Sequence, residues 1–84
     1  MYTVYVLYSK QHDKIYIGYT SDMEARFRSH NELSNKGWSK KYRPWTLVYT
    51  EEFTDKREAM RREKELKSYR GREYIRKVIV GLQK

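Results

Sequence analysis

No cysteine occurs in these 84 residues, so neither a disulfide framework nor a zinc–thiolate site can stand in for a hydrophobic core. A chain this short has room for one core and buries a smaller share of its surface than a longer one. Nearly every sizeable apolar residue is therefore needed inside, and 1–84 is expected to be one domain. Nine of the aromatic residues are tyrosine, whose apolar body and polar tip suit both a small core and a wet binding surface. Lack of cysteine fits a reducing compartment. Met1–Tyr8 is apolar but has no basic leader and is too short for a signal peptide, and no run reaches membrane-spanning length. A cytoplasmic protein with no membrane association is expected.

Nineteen Lys and Arg against eleven Asp and Glu leave a net charge of +8. That balance favours nucleic acid as a partner, or less often an anionic membrane surface, although a merely solvated basic surface has the same composition.

Along the chain, Thr3–Tyr8 is β-branched and aromatic, as strands are. Lys10–Asp13 is a polar turn, and Lys14–Thr20 returns as a second antiparallel strand. Gly18 inside that strand marks a close approach to the backbone. Ser21 and Glu24 form a capping-box pattern that predicts a helix to about Asn31. Residues 34–43 are basic, aromatic and poorly periodic, with room for a short helix. Pro44 stops any helix there, and Trp45–Tyr49 reads as a third strand. Thr54 or Asp55 caps a long helix to about Tyr69. Gly71 is expected to break it, and a final helix from about Arg72 to Val80 turns Tyr74, Ile75, Val78 and Ile79 inward. The fold class is α+β, a three-stranded antiparallel sheet flanked by helices in the order β-β-α-(α)-β-α-α.

Polar residues interrupt the apolar faces of these elements. In the helix from Asp55, Ala59, Met60 and Leu66 are expected to face the core. At about 100° per residue, Glu63 falls between Ala59 and Met60 and about 60° from Leu66. It is either an ion-pair partner of a neighbouring arginine or a functional acid, whereas Glu58 and Glu65 point away to solvated partners. In the first helix Met23 and Phe27 define the inner face, with Arg26 and His30 within about 60° of it. An inward arginine needs an anion, from Glu63 or from a ligand phosphate. His30 taken alone reads more readily as a structural histidine than as a catalyst. If Tyr5 and Leu7 lie opposite Gly18 and Tyr16, the hydroxyls of Tyr5 and Tyr16 project together beside the gap at Gly18. Buried polar groups are unfavourable unless paired, so two tyrosines, an arginine, a histidine and a glutamate facing inward point to one shared pocket.

Thr3-Val4-Tyr5, ten residues, Tyr16-Ile17-Gly18, then Arg26, His30 and Glu63 on helices resemble the GIY-YIG nuclease domain. The resemblance spans the chain, including the basic entry Lys40-Lys41-Tyr42-Arg43-Pro44-Trp45 to the third strand. It is nearest to small stand-alone members related to the nuclease domain of the excision-repair incision subunit. It implies hydrolysis of a DNA phosphodiester with a divalent metal, Mg²⁺ or Mn²⁺. Tyr5 then matches the tyrosine that orients the attacking water or accepts its proton, and Tyr16 the second-motif tyrosine that holds water and phosphate. Arg26 matches the arginine that stabilises the pentavalent phosphate. Glu63 matches the single carboxylate metal ligand, and His30 a histidine that hydrogen-bonds near the tyrosine.

Three departures accompany the match. Thr3 and Val4 replace Gly-Ile, Tyr19 stands where some relatives have lysine, and no asparagine follows Asn35, although several relatives use one downstream to buttress the site. Relatives with defined substrates usually carry a further DNA-binding domain or a partner. Here a monomer, with a protein partner for targeting, is expected. Contact with nucleic acid falls to the close approach at Gly18 and to Lys40, Lys41 and Arg43 for phosphate, with Trp38 and Tyr42 for base stacking. The competing picture for that segment is a solvated loop with Trp45 packed in the core. Two functions stand against each other: an endonuclease, and a nucleic-acid-binding module with little or no cleavage.

Overall fold

A computed structural model describes residues 1–28 and 41–81. Strands β1 (Tyr2–Ser9) and β2 (Lys14–Thr20) form the expected hairpin, and their register sets Tyr5 opposite Gly18 and Leu7 opposite Tyr16. Asp13 closes the turn at φ 53°, a left-handed conformation that a short polar side chain tolerates. Its carboxylate accepts a 3.0 Å hydrogen bond from the Tyr8 hydroxyl. Strand β3 (Thr46–Phe53) pairs with the other side of β1, giving an antiparallel sheet in the order β2-β1-β3.

The central position of β1 explains why it is apolar at both parities, since both of its faces are covered. Val4, Val6 and Tyr8 join Ile15 and Ile17 against the C-terminal helical elements, through Ala59, Leu66, Ile75, Ile79 and Val80. Tyr5, Leu7 and Trp45 lie on the opposite face, with Tyr16, Met23, Phe27 and Tyr42 packed around them. The candidate site forms within this second, smaller cluster.

Several boundaries differ from expectation for local reasons. Helix α1 (Met23–Arg28) is capped by Asp22 and not by Ser21. The Asp22 carboxylate accepts the Ala25 N–H at 3.2 Å, and its carbonyl accepts that of Arg26. The Thr20 hydroxyl accepts the Asp22 N–H at 3.1 Å, which moves the helix start one residue onward. Glu24 does not reach back and pairs instead with Arg28 at 3.7 Å. The expected end of this helix and the segment 34–40, with Trp38 and Lys40, lie outside the described residues. Strand β3 starts at Thr46, one residue later than expected, and continues past Tyr49 to Phe53. Glu51 is accommodated there because Arg62 and the Tyr49 hydroxyl both donate to its carboxylate, at 3.0 and 2.7 Å.

Helix α2 (Lys56–Lys67) is capped by Asp55, which accepts the Arg57 N–H at 2.9 Å. It ends at Ser68 and not at Gly71. Ser68 is extended, and its hydroxyl accepts the Gly71 N–H at 3.2 Å, so one residue both closes α2 and caps α3 (Tyr69–Tyr74). Gly71 lies inside α3. A Cβ there would meet the Glu65 carbonyl oxygen and lie 2.6 Å from the Leu66 Cα, so the glycine permits close packing of α3 on the end of α2. Ile75–Val80 is a π-helical segment. Its wider turn puts Ile75 with Ile79 and Val80 inside and leaves Tyr74 and Val78 exposed, contrary to the pattern expected of a regular helix. Met60 is also exposed, because Ala59 and Leu66 centre the buried stripe of α2 on its other side.

Candidate active site

The site is built on strand pairing. Tyr5 projects from β1 on the face shared with Tyr16, and its ring is completely buried. The ring passes over Gly18, where a Cβ would stand 2.6 Å from the phenolic oxygen and 2.8 Å from Cζ. No other residue leaves that room, so the glycine is a cradle for the Tyr5 hydroxyl. The rings of Tyr5 and Tyr16 stack with centroids 6.2 Å apart and planes at 18°. Trp45 holds the far side of Tyr16 edge-on at 6.1 Å, which fixes the second tyrosine by packing.

Arg26 enters from α1. Its Nε donates a 3.3 Å hydrogen bond to the Tyr5 hydroxyl, while Met23 and Phe27 anchor the helix on the aromatic cluster. The hydrogen bond to the Tyr5 oxygen is the main reason the Arg26 guanidinium stands above its ordinary pKa. Burial pushes the Tyr5 phenol above its usual value of 10.0, and the Arg26 hydrogen bond opposes this. Tyr16 and Glu63 push it further up through their charges. At neutral pH Tyr5 is therefore a protonated phenol, able to orient a water or a phosphate oxygen. Extra positive charge is needed before it can act as a base.

Glu63 comes from α2, behind the sheet, with its side chain half-buried. Its described ion-pair partner is Lys67, one turn on, at 3.6 Å. Of the neighbouring arginines, Arg62 pairs elsewhere, with Glu51 at 3.0 Å and Glu65 at 3.6 Å. The helical angle is the reason: Arg62 and Glu63 flank the buried Ala59–Leu66 line on opposite sides. The structure thus joins Tyr5, Tyr16 and Arg26 by stacking and hydrogen bonding, whereas Glu63 stands apart from them, on the helix packed against the other face of the sheet. His30 lies outside the described residues. Among the described residues no three of His, Cys, Asp and Glu cluster as a metal cage would.

Of the segment expected to contact nucleic acid, Lys41 is exposed and Arg43 half-buried, while Trp45 is in the core. Tyr42 packs against the aromatic cluster. Its ring has the Lys14 and Lys41 ammonium groups each 5.6 Å from the centroid and His12 edge-on at 5.4 Å. Lys14 and His12 were not singled out from the sequence. For Lys14 a signal existed, since it shares strand parity with Tyr16 and Gly18.

Residues 1–75 match the family model described as the GIY-YIG catalytic domain. The chain belongs to the GIY-YIG family, a superfamily of nucleases. It is similar to a UPF0213 protein of Staphylococcus haemolyticus, 44% identical over 66 residues that cover 79% of each chain. A UPF0213 protein of Staphylococcus epidermidis is 37% identical over 67 residues, covering 80% of this chain and 82% of the relative. Among solved structures, the solution NMR structure of a UPF0213 protein from Bacillus halodurans matches with a TM-score of 0.55 and 34% identity. The match covers 93% of this chain and 85% of that one.

Proposed function

We propose that this protein is a divalent-metal-dependent endonuclease that hydrolyses DNA phosphodiester bonds, with Tyr5, Tyr16, Arg26 and Glu63 as its working groups. The observation that carries the proposal is the bond from Arg26 Nε to the buried Tyr5 hydroxyl over the Gly18 cradle. Maintaining a phenol and a guanidinium in that geometry serves packing poorly and serves a phosphate well. Arg26 offers planar donors where negative charge grows on phosphorus. Tyr5 and Tyr16 present hydroxyls that orient the attacking water and a non-bridging oxygen. His30, one turn beyond Arg26 in the sequence, completes the set on the family pattern.

A lone carboxylate fits Mg²⁺ or Mn²⁺, which keep most of their waters and take substrate oxygens for the rest; it does not fit a closed zinc site. Bound at Glu63, such an ion would lower the pKa of a coordinated water and neutralise charge on the leaving group. No helix among the described residues is long and apolar enough to cross a membrane. The proposed substrate is DNA, met by a monomer that takes its targeting from a protein partner.

Arg26→Ala tests the assignment. Arg26 is exposed apart from its bond to Tyr5, so the variant should fold and bind nucleic acid within a few-fold of the parent. Its single-turnover cleavage should fall by about 10²–10³, the range for loss of one preorganised donor to a developing anion. Cleavage at the parent rate would remove Arg26 from the chemistry.

A further inference from the structure

Beside the site, a cleft of about 440 Å³ opens between the start of β2 and the end of α2, and is lined by Lys14, Tyr16, Lys67, Arg72 and Arg76. These four cations come from four separate stretches of the fold. Only two described acids balance them, Asp13 on Arg76 at 3.1 Å and Glu63 on Lys67 at 3.6 Å. Converging like charges repel, and the arrangement becomes favourable when an anion enters.

The cations are held in place. Arg72 donates through Nε to the Lys67 carbonyl at 3.0 Å. Arg76 donates to both the carboxylate and the carbonyl of Asp13, at 3.1 and 3.3 Å, tying the last helical segment to the hairpin turn. Two residues connect this cleft to the site already described. Tyr16 lines it and stacks on Tyr5, and Lys67 lines it and touches Glu63. At its other end Lys14 meets Tyr42, which Lys41 also flanks. The result is one basic track passing the candidate active site.

We propose that this cleft holds the backbone phosphates next to the scissile one, which makes Lys14, Arg72 and Arg76 strand-positioning residues. The proposal rests on the nuclease reading and extends it by giving the substrate strand a path along the β2 edge. A strand is favoured over a mononucleotide because the basic surface continues beyond the cleft, from Lys14 over the Tyr42 ring to Lys41. Phosphate contacts of this kind set register on the substrate without reading sequence.

The test is the salt dependence of binding to a fluorescent 16-base-pair duplex and its single strand in EDTA, where nothing is cut. Lys14→Gln/Arg72→Gln removes both charges but leaves unbranched polar side chains, and should lower the slope of log affinity against log salt by about 1 for each cation removed. Lys56→Ala/Arg57→Ala removes the same charge at the far end of α2, from two exposed residues, and should leave the slope as in the parent. An unchanged slope in the Lys14/Arg72 variant, or an equal fall in the Lys56/Arg57 control, overturns this proposal and leaves the nuclease reading standing. A parent protein that binds neither form of DNA overturns both.

Discussion

Glu63→Gln is expected to lose cleavage by about 100-fold or more while retaining its fold and its hold on nucleic acid. The substitution keeps side-chain size and helical fit but removes the charge that would retain a metal. What makes the experiment decisive is the partner seen for this carboxylate. Had Glu63 been locked to a buried arginine, neutralising it would strand a charge at about 3–5 kcal/mol. Its partner is instead Lys67, whose side chain is 46% exposed, at helical i,i+4 spacing and 3.6 Å. Such a pair contributes only about 0.3–0.5 kcal/mol, which corresponds to a fall in Tm of about 1–4 °C in a domain of this size. Melting, binding and cleavage are measured on the same variant. A fall in Tm beyond roughly 10 °C, or cleavage at the parent rate, would remove Glu63 from the metal-ligand role.

Gly18→Ala is expected to damage both activity and stability. The new methyl would overlap the Tyr5 hydroxyl and Cζ, and the fully buried ring can yield only by tilting away from Arg26 and out of its stack on Tyr16. Overpacking of this kind costs about 1–3 kcal/mol, or a fall in Tm of roughly 5–20 °C. A displacement near 1 Å at the reacting groups costs about 100-fold in rate. Tyr5→Phe in the same background removes the atom nearest the new methyl, so the stability cost of Gly18→Ala should shrink in that double variant. A Gly18→Ala protein with parent activity would show that the cradle does not position Tyr5.

The two halves of this account were unequally legible in the sequence. A shared pocket was conditional on Tyr5 lying opposite Gly18 and Leu7 opposite Tyr16, and the hairpin has that register. A period of two leaves few alternatives once the turn is short. The reach of Arg26 toward Tyr5 was legible from its place about 60° from Met23 on the helix, although the residue itself stays exposed. What failed was local competition among similar signals. Ser21 and Asp22 are both good caps, and the Thr20 hydroxyl decided between them. Ser68 and Gly71 are both breakers; Ser68 ended the helix, while Gly71 was needed for a backbone contact that no sequence pattern reports. Met60 was expected inside, but Ala59 and Leu66 alone centre the buried stripe, which leaves Met60 exposed beyond Glu63 on the same side. The basic cleft could not be read at all, because Lys14, Lys67, Arg72 and Arg76 meet only after β2, α2 and the last helices have packed.

The central claim is that this fold cuts a phosphodiester and does more than bind one. Incubating the purified protein with nicked, branched, duplex and single-stranded DNA and with RNA, in Mg²⁺, in Mn²⁺ and in EDTA, tests it most directly. The account predicts new strand ends on at least one DNA substrate in the presence of either metal, and none in EDTA. Saturating, salt-sensitive binding that leaves every substrate intact in both metals would contradict it and identify the protein as a binding module on a nuclease fold.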